Sequence, residues 1–460
     1  MTAVAVGRWG RRGRQGLVAL AVATTAVLTA GATGTAYAEP GAAPPTGEPA
    51  KPTKPEIRNV VWLTDRRVAL WVDSPAMGTR VQVQLLLARD WNIKPDAKFP
   101  VLYLLDGLRA GDDQSGWTKD AGAEAFYADK NVTVVLPVGG AASFYSDWKR
   151  PDNGKTYKWE TFLTRELPPL LDKDWRTTNV RGLAGLSMGG TAAMALAARN
   201  PGFARYAASF SGMLTLTTLG MPQAVAYAMR DAGGYHADAM YGAPTDAEWE
   251  THDPYALAEK LKGLSLYVSS GSGLAGVYDL PSGIPGVSTN WMGTALEVLS
   301  RFSSQQFVAK LNKLSIPVQV NYRPSGTHSW PYWDFEMRQS WPQAASALGV
   351  EAAKPDCSAA GAIVPVALGK SFLSDCLTAE YPLAGGAAQD FRGGRVLWSA
   401  ATGAHAVAGM IGGAYEGASG PAGALGFPTS DETPIQGGAQ QSFQHGAIVF
   451  RDGKAEIHAT

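Results

Sequence analysis

The chain has 460 residues, of which 45% are hydrophobic and 17% charged, with 53 glycines and 29 prolines. That length exceeds one ordinary core and favours one large and one small folded unit, and the apolar content excludes disorder throughout. Forty basic residues balance forty acidic ones, so no basic surplus draws the chain to nucleic acid.

Residues 1–38 have the pattern of a signal peptide. Arg8, Arg11, Arg12 and Arg14 precede an apolar run from Leu17 to Leu28, and small residues then end in Ala36-Tyr37-Ala38, an A-x-A cleavage pattern. Threonines and glycines interrupt the run and no stop-transfer pattern follows, so the segment is expected to be cleaved, leaving no transmembrane span. The Arg11-Arg12 pair also fits a twin-arginine signal, and both export routes stay open. Cleavage removes four arginines and no acid, so the mature chain has 36 basic against 40 acidic residues, a net of −4.

Residues 39–55, rich in Pro and Ala, form a tether, and structure is expected from near Ile57. Strand-like apolar runs then recur at 81–87, 101–105, 132–138, 183–186, 206–210, 264–268 and 318–322. Several are continuous rather than alternating, as in strands buried on both faces. Helical spacing over 159–171, 191–199 and 291–311 separates them, so residues 56–350 are expected to be an α/β domain with a mostly parallel central sheet. Residues 351–384 are read as a linker holding Cys357 and Cys376, which in an oxidising compartment form a disulfide. Residues 385–460, Gly-rich with Trp398, Phe427, Phe443 and Phe450, are read as a second small domain. Two cysteines are too few for a metal site and no H-E-x-x-H or C-x-x-C occurs, so neither a metal nor a cofactor is expected.

Ser187 lies in Gly185-Leu186-Ser187-Met188-Gly189, between an apolar run and a helix-like segment. This G-x-S-x-G context is that of a nucleophile elbow, whose strained strand-to-helix turn needs flanking glycines and exposes the hydroxyl. A serine hydroxyl needs a base. His236 and His252 lie in a polar insertion and are read as solvated loop residues, whereas His328 follows the last strand-like run and is the candidate. Nine acids lie between Ser187 and His328. Asp279 and Glu297 are nearest the histidine, and the residues alone leave the choice between them even. The backbone N–H of Met188 is one oxyanion donor by the logic of the elbow. The second is expected from Leu108, in the Asp106-Gly107-Leu108-Arg109 loop after an early strand, where Asp106 and Arg109 are candidates to grip a polar substrate such as a sugar.

Between about Ile57 and Leu348 the chain resembles the secreted mycolyltransferases of the antigen 85 type, which have the α/β-hydrolase fold. The resemblance rests on Leu104-Leu105-Asp106-Gly107-Leu108-Arg109, Gly116-Trp117, the run from Ser143 to Trp148, the run from Tyr157 to Glu166, Gly185-Leu186-Ser187-Met188 and the run from Gly326 to Trp333. It implies a triad of Ser187, Glu297 and His328, oxyanion donors at Leu108 and Met188, and trehalose held by Asp106, Arg109 and Trp330. It further implies transfer of a mycoloyl group from trehalose monomycolate to a second trehalose monomycolate or to arabinogalactan. Residues 271–292 match the family poorly, and the usual cysteine near the run 264–268 is a serine, Ser270. Through Leu425-Gly426-Phe427-Pro428 and its surroundings the C-terminal part resembles the LGFP repeat of actinobacterial envelope proteins, with about one and a half units visible. That implies a chain associated with the cell envelope, with arabinogalactan or a peptidoglycan-linked glycan as partner. The competing readings are a secreted carboxylesterase on the same scaffold and an inactive wall-binding protein.

Overall fold

A computed structural model describes residues 51–351 and 354–460. The signal peptide expected at 1–38 and the tether up to residue 50 lie outside the described residues.

The larger part is built on a nine-stranded sheet of order β1-β2-β3-β5-β4-β6-β7-β8-β9. Its strands are β1 (Glu56–Trp62), β2 (Arg67–Ser74), β3 (Thr79–Leu86), β4 (Phe99–Leu105), β5 (Thr133–Pro137), β6 (Thr177–Leu186), β7 (Tyr206–Phe210), β8 (Ser265–Ser270) and β9 (Gln319–Tyr322). The first three strands and the β3/β5 pair are antiparallel, and every pair from β5 to β9 is parallel. The parallel strands lie between two apolar layers, which is why they read as unbroken apolar runs. Along β4, Val101, Tyr103 and Leu105 belong to one layer while Leu102 and Leu104 belong to the other, and Leu183 and Ala184 of β6 divide the same way.

Helices cover both faces, among them α1 (Met188–Arg199), α2 (Met221–Gly233), α3 (Trp291–Lys313) and α4 (Trp330–Leu348). Strands β1 and β2 have no counterpart among the sequence runs. Their ends carry Glu56, Arg67 and Asp73; β2, whose centre at residues 68–72 is apolar and mostly buried, pairs with β3, and β1 pairs with β2 at the edge. Among the described residues no helix is long and apolar enough to cross a membrane.

Cys357 and Cys376 are disulfide-bonded, with Cα atoms 5.9 Å apart. The C-terminal part then forms two four-stranded antiparallel sheets. The first holds β10 (Tyr381–Leu383), β11 (Gly386–Phe391), β12 (Gly394–Ser399) and β13 (Gly403–Val407). After α5 (Gly409–Gly417) the second holds β14 (Thr433–Ile435), β15 (Gly438–Phe443), β16 (Gly446–Arg451) and β17 (Lys454–Ala459). Strand β10 falls inside the segment read as linker. The two sheets repeat one another closely, since Phe391 pairs with Gly394 as Phe443 pairs with Gly446.

Both parts belong to one compact unit, and a buried charge network joins them. Asp390 accepts from Asn92 (2.9 Å), Tyr381 (2.8 Å) and Arg395 (2.8 Å), and it lies 3.6 Å from the Arg66 guanidinium. Arg395 also binds Glu416 at 2.7 Å. Burial works against ionising Asp390, but Arg395 and Arg66 outweigh it and hold its pKa below the ordinary value. Asp65 lies near both arginines with one carboxylate oxygen enclosed and unpartnered, and desolvation pushes its pKa up to about 7.

Candidate active site

Ser187 stands between β6 and α1 with φ +50° and ψ −120°, a conformation a non-glycine residue adopts only under strain of about 1–3 kcal/mol. The flanking glycines make the turn possible. A Cβ on Gly185 would lie 2.3 Å from the carbonyl oxygen of Gly189, and one on Gly189 would lie 2.4 Å from that of Leu105. The amide of Ser187 donates to the carbonyl of Phe210 on β7 at 2.8 Å, which anchors the bend to the sheet.

His328 sits on the loop after β9, and its amide donates to the Gly293 carbonyl at the start of α3 (3.0 Å). Its Nε2 lies 2.8 Å from Ser187 Oγ, and its Nδ1 lies 2.8 Å from Glu297 Oε2. Glu297, inside α3, is fully buried; its other oxygen accepts from the Ser211 hydroxyl (2.8 Å) and from the Gly271 amide (2.5 Å). The edge of Trp333 lies against the imidazole, with ring centres 4.9 Å apart. These contacts hold the ring with a proton on Nδ1 and a lone pair towards the serine. That is the arrangement a base needs to take the hydroxyl proton.

Asp279, the other acid, is brought near but not into this relay. Its carboxylate accepts from Thr327 Oγ1 (2.5 Å), the Tyr332 hydroxyl (2.6 Å) and the Gly276 amide (2.9 Å), so it holds the histidine's loop rather than its ring. Of the other histidines, His236 is exposed, as read from the sequence, but His252 is not a solvated loop residue. It is 2% exposed and stacked on Tyr241 at 4.3 Å, because Trp249 and Tyr241 fold over the insertion and give it an aromatic floor.

A cavity of about 750 Å³ opens at Ser187. Leu108 and Met188 both line it. Met188 opens α1, so its amide has no partner from the helix ladder, and the Leu108 amide takes no part in the backbone hydrogen bonding of its loop. Gly107 lets that loop approach the elbow, since a Cβ there would meet the Leu186 side chain at 2.7 Å.

Asp106, Arg109 and Trp330 line the same cavity. Asp106 is 2% exposed. Burial pushes its pKa up to about 7, and although Ser115 and the amides of Gly116 and Trp117 face it, no hydrogen bond of sound geometry satisfies either oxygen. Both oxygens are enclosed by protein, so the carboxylate lies behind the cavity wall rather than open to it. Arg109 is not poised freely towards a ligand. It pairs with Asp231 of α2 at 2.5 Å, both side chains more than half exposed. Trp330 packs edge-on against Trp117 and Trp333, and a Cβ on Gly116 would lie 2.1 Å from its ring, so only glycine leaves room for the indole. Beyond the serine the walls are apolar, formed by Met221 and Val225 of α2 and Met292, Leu296 and Leu299 of α3.

Sequence reasoning missed Ser211, Asp231 and the bracing role of Asp279. Only for Ser211 was there a local signal, a serine-glycine pair just past a strand, here bent to φ +55°. Among the described residues no group of three or more His, Cys, Asp or Glu could hold a metal ion.

An esterase family model matches residues 74–344, and LGFP-repeat models match residues 373–423 and 425–459, two units rather than the one and a half visible in the sequence. The diacylglycerol acyltransferase/mycolyltransferase Ag85B of Mycobacterium intracellulare is 38% identical over 289 residues, 61% of this chain and 83% of its own. The Ag85A protein of Mycobacterium ulcerans is 39% identical over 289 residues, covering 61% and 81%. The crystal structure of Mycobacterium tuberculosis MPT51 (FbpC1) superposes with a TM-score of 0.51 at 28% identity, covering 61% of this chain and 97% of that one. The chain thus belongs to the esterase family, as an Ag85-like acyltransferase of the serine-hydrolase type with the α/β-hydrolase fold and C-terminal LGFP repeats.

Proposed function

We propose that the protein is a secreted, envelope-associated mycoloyl transferase that takes the acyl group of trehalose monomycolate and passes it to a second trehalose monomycolate or to cell-wall arabinogalactan. The observation that carries this reading is a single cavity whose lining joins Ser187 and His328 of the relay to the polar Asp106, Arg109 and Asp231, to Trp330, and to apolar side chains of α2 and α3. A glycolipid ester has that mixed polarity.

Ser187 Oγ attacks the ester carbonyl while His328 Nε2 takes its proton, and the developing oxyanion lies against the amides of Leu108 and Met188. His328 then gives the proton to the departing trehalose oxygen, leaving a mycoloyl ester on Ser187. A sugar hydroxyl of the acceptor loses its proton to His328, attacks that ester and regenerates the serine. Hydrolysis would follow the same route with water, so the outcome rests on how well the polar lining orients the acceptor hydroxyl. No step needs a metal or a cofactor. The LGFP repeats would keep the enzyme at the wall, beside its glycan partners.

The test supplies purified mature protein with trehalose monomycolate. Dimycolate and free trehalose are expected, and Ser187→Ala should lower their formation by roughly four orders of magnitude or more. Release of free mycolic acid without dimycolate would favour the carboxylesterase, and no product at all the inactive wall-binding protein.

A further inference from the structure

Between Gly271 and Ser300 the only charged residues are Asp279 and Glu297. Both are engaged internally, Asp279 on Thr327 and Tyr332 and Glu297 on His328. The same stretch turns large apolar side chains outward: Val277 is 89% exposed, Leu280 75% and Ile284 57%, followed by Trp291 and Met292 at the start of α3. Soluble surfaces rarely gather so much apolar area without a partner.

The stretch is a built hairpin. Ser282 and Thr289 donate to the carbonyls of Val287 and Leu280 (both 3.0 Å), and Ala275 donates to that of Gly286 (2.9 Å). Tyr278 packs on Tyr332, ring centres 5.1 Å apart, and Asp279 ties the hairpin to the loop of His328. The patch is also continuous with the cavity, because Met292 both belongs to it and lines the cavity, as does the exposed Tyr227 of α2.

We propose that this uncharged hairpin and the adjoining start of α3 dock on the surface of a lipid assembly, setting the cavity mouth among packed acyl chains. The inference rests on the mycoloyl-transfer reading. Drawing a long acyl chain through water costs free energy for every methylene exposed, and a mouth pressed against the lipid removes that crossing. Aliphatic tips enter the hydrocarbon while the Trp291 indole suits the interface. The segment has no free basic group, since Arg301, the first cation after it, is bound to the carbonyls of Ser270 and Gly271. Attachment is therefore apolar rather than electrostatic and does not require anionic lipid.

Flotation of the mature wild-type protein with phosphatidylcholine vesicles tests this. Binding is expected, and it should persist as salt rises from about 0.1 to about 1 M, which shortens the screening length from about 10 to about 3 Å. The triple variant Val277→Glu, Leu280→Glu, Ile284→Glu should bind about tenfold less while hydrolysing a soluble short-chain p-nitrophenyl ester within about twofold of wild type. Should that variant fail to fold, Val277→Ser with Leu280→Ser should show a smaller loss in the same direction. Wild-type protein left unbound at all lipid concentrations, binding abolished by salt, or equal binding by wild type and variants would each overturn the proposal. So would wild-type dimers that the variants dissolve in the absence of vesicle binding, which would make the face a contact between two copies. Dimycolate synthesis by a protein that ignores vesicles would leave the transferase reading standing and remove only the docking.

Discussion

Glu297→Gln is expected to lower kcat on any ester by about four orders of magnitude, with a stability loss of about 1–3 kcal/mol that leaves the protein folded at assay temperature. The side chains are nearly isosteric, but the carboxylate sits among donors on every side: His328 Nδ1 at one oxygen, the Ser211 hydroxyl and the Gly271 amide at the other. An amide can satisfy only one of those sides. With its NH2 towards His328 it forces the proton onto Nε2, where the ring can no longer accept from Ser187. With its NH2 turned away it opposes the Gly271 N–H at close range. The comparison is Asp279→Asn, whose acid braces the loop and does not touch the imidazole, and whose loss of rate should stay within about tenfold. Steady-state kinetics on a soluble ester, paired with thermal melts, separate the two. A loss below about tenfold for Glu297→Gln would remove it from the relay, and a larger loss for Asp279→Asn would put that acid in its place.

The second large effect concerns the joint between the two parts of the molecule. Arg395→Met should destabilise the C-terminal sheets by about 3–5 kcal/mol, because it leaves the fully buried Asp390 with Arg66 as its remaining cation and takes from the part-buried Glu416 its guanidinium partner. Combining it with Asp390→Asn should recover part of that loss, since an uncharged pair carries no stranded charge. Denaturant unfolding, read together with activity on a soluble ester, checks this: the C-terminal transition should move while the rate holds. If Arg395→Met costs less than about 1 kcal/mol, the network does not hold the joint. The two sheets themselves locate the specialisation. Asp390 pairs across its hairpin with Arg395, whereas the matching positions of the second sheet are Ser442 and Ala447. The ion pair exists only in the repeat that meets Asn92 and Arg66.

The parallel strands were legible because burial on both faces leaves unbroken apolar runs, and the elbow was legible because its steric demand falls on neighbours in sequence. Strand β2 carries the same mark, an unbroken apolar run over residues 68–72, and was overlooked; β1, with only Val60, Val61 and Trp62 in a row and a half-exposed face, has no such run and takes its place from β2. Glu297 illustrates the same limit. Inside a long helix it reads as an ordinary exposed acid, and only the docking of α3 against β8 turns it inward beside residues 26 to 86 positions away. The resemblance to the antigen 85 type chose it over Asp279 when the residues alone could not. His252 was misjudged for a related reason, because a polar neighbourhood in sequence hid the aromatic residues that cover it in space. Asp231 carries no local mark at all; its meeting with Arg109 joins residues 122 positions apart.

The left-handed backbone at Ser187 has a thermodynamic corollary. Glycine tolerates that conformation freely, so Ser187→Gly should make a dead protein that outlasts the living one, by about 1 kcal/mol after the extra freedom glycine gains when unfolded is counted. A shift of the denaturant midpoint upward at constant slope would register it, and an unchanged or lower midpoint would mean the bend is relaxed. With Ser187 as the proposed nucleophile, turnover and durability pull on this one residue in opposite directions, and the chain carries the less durable option there.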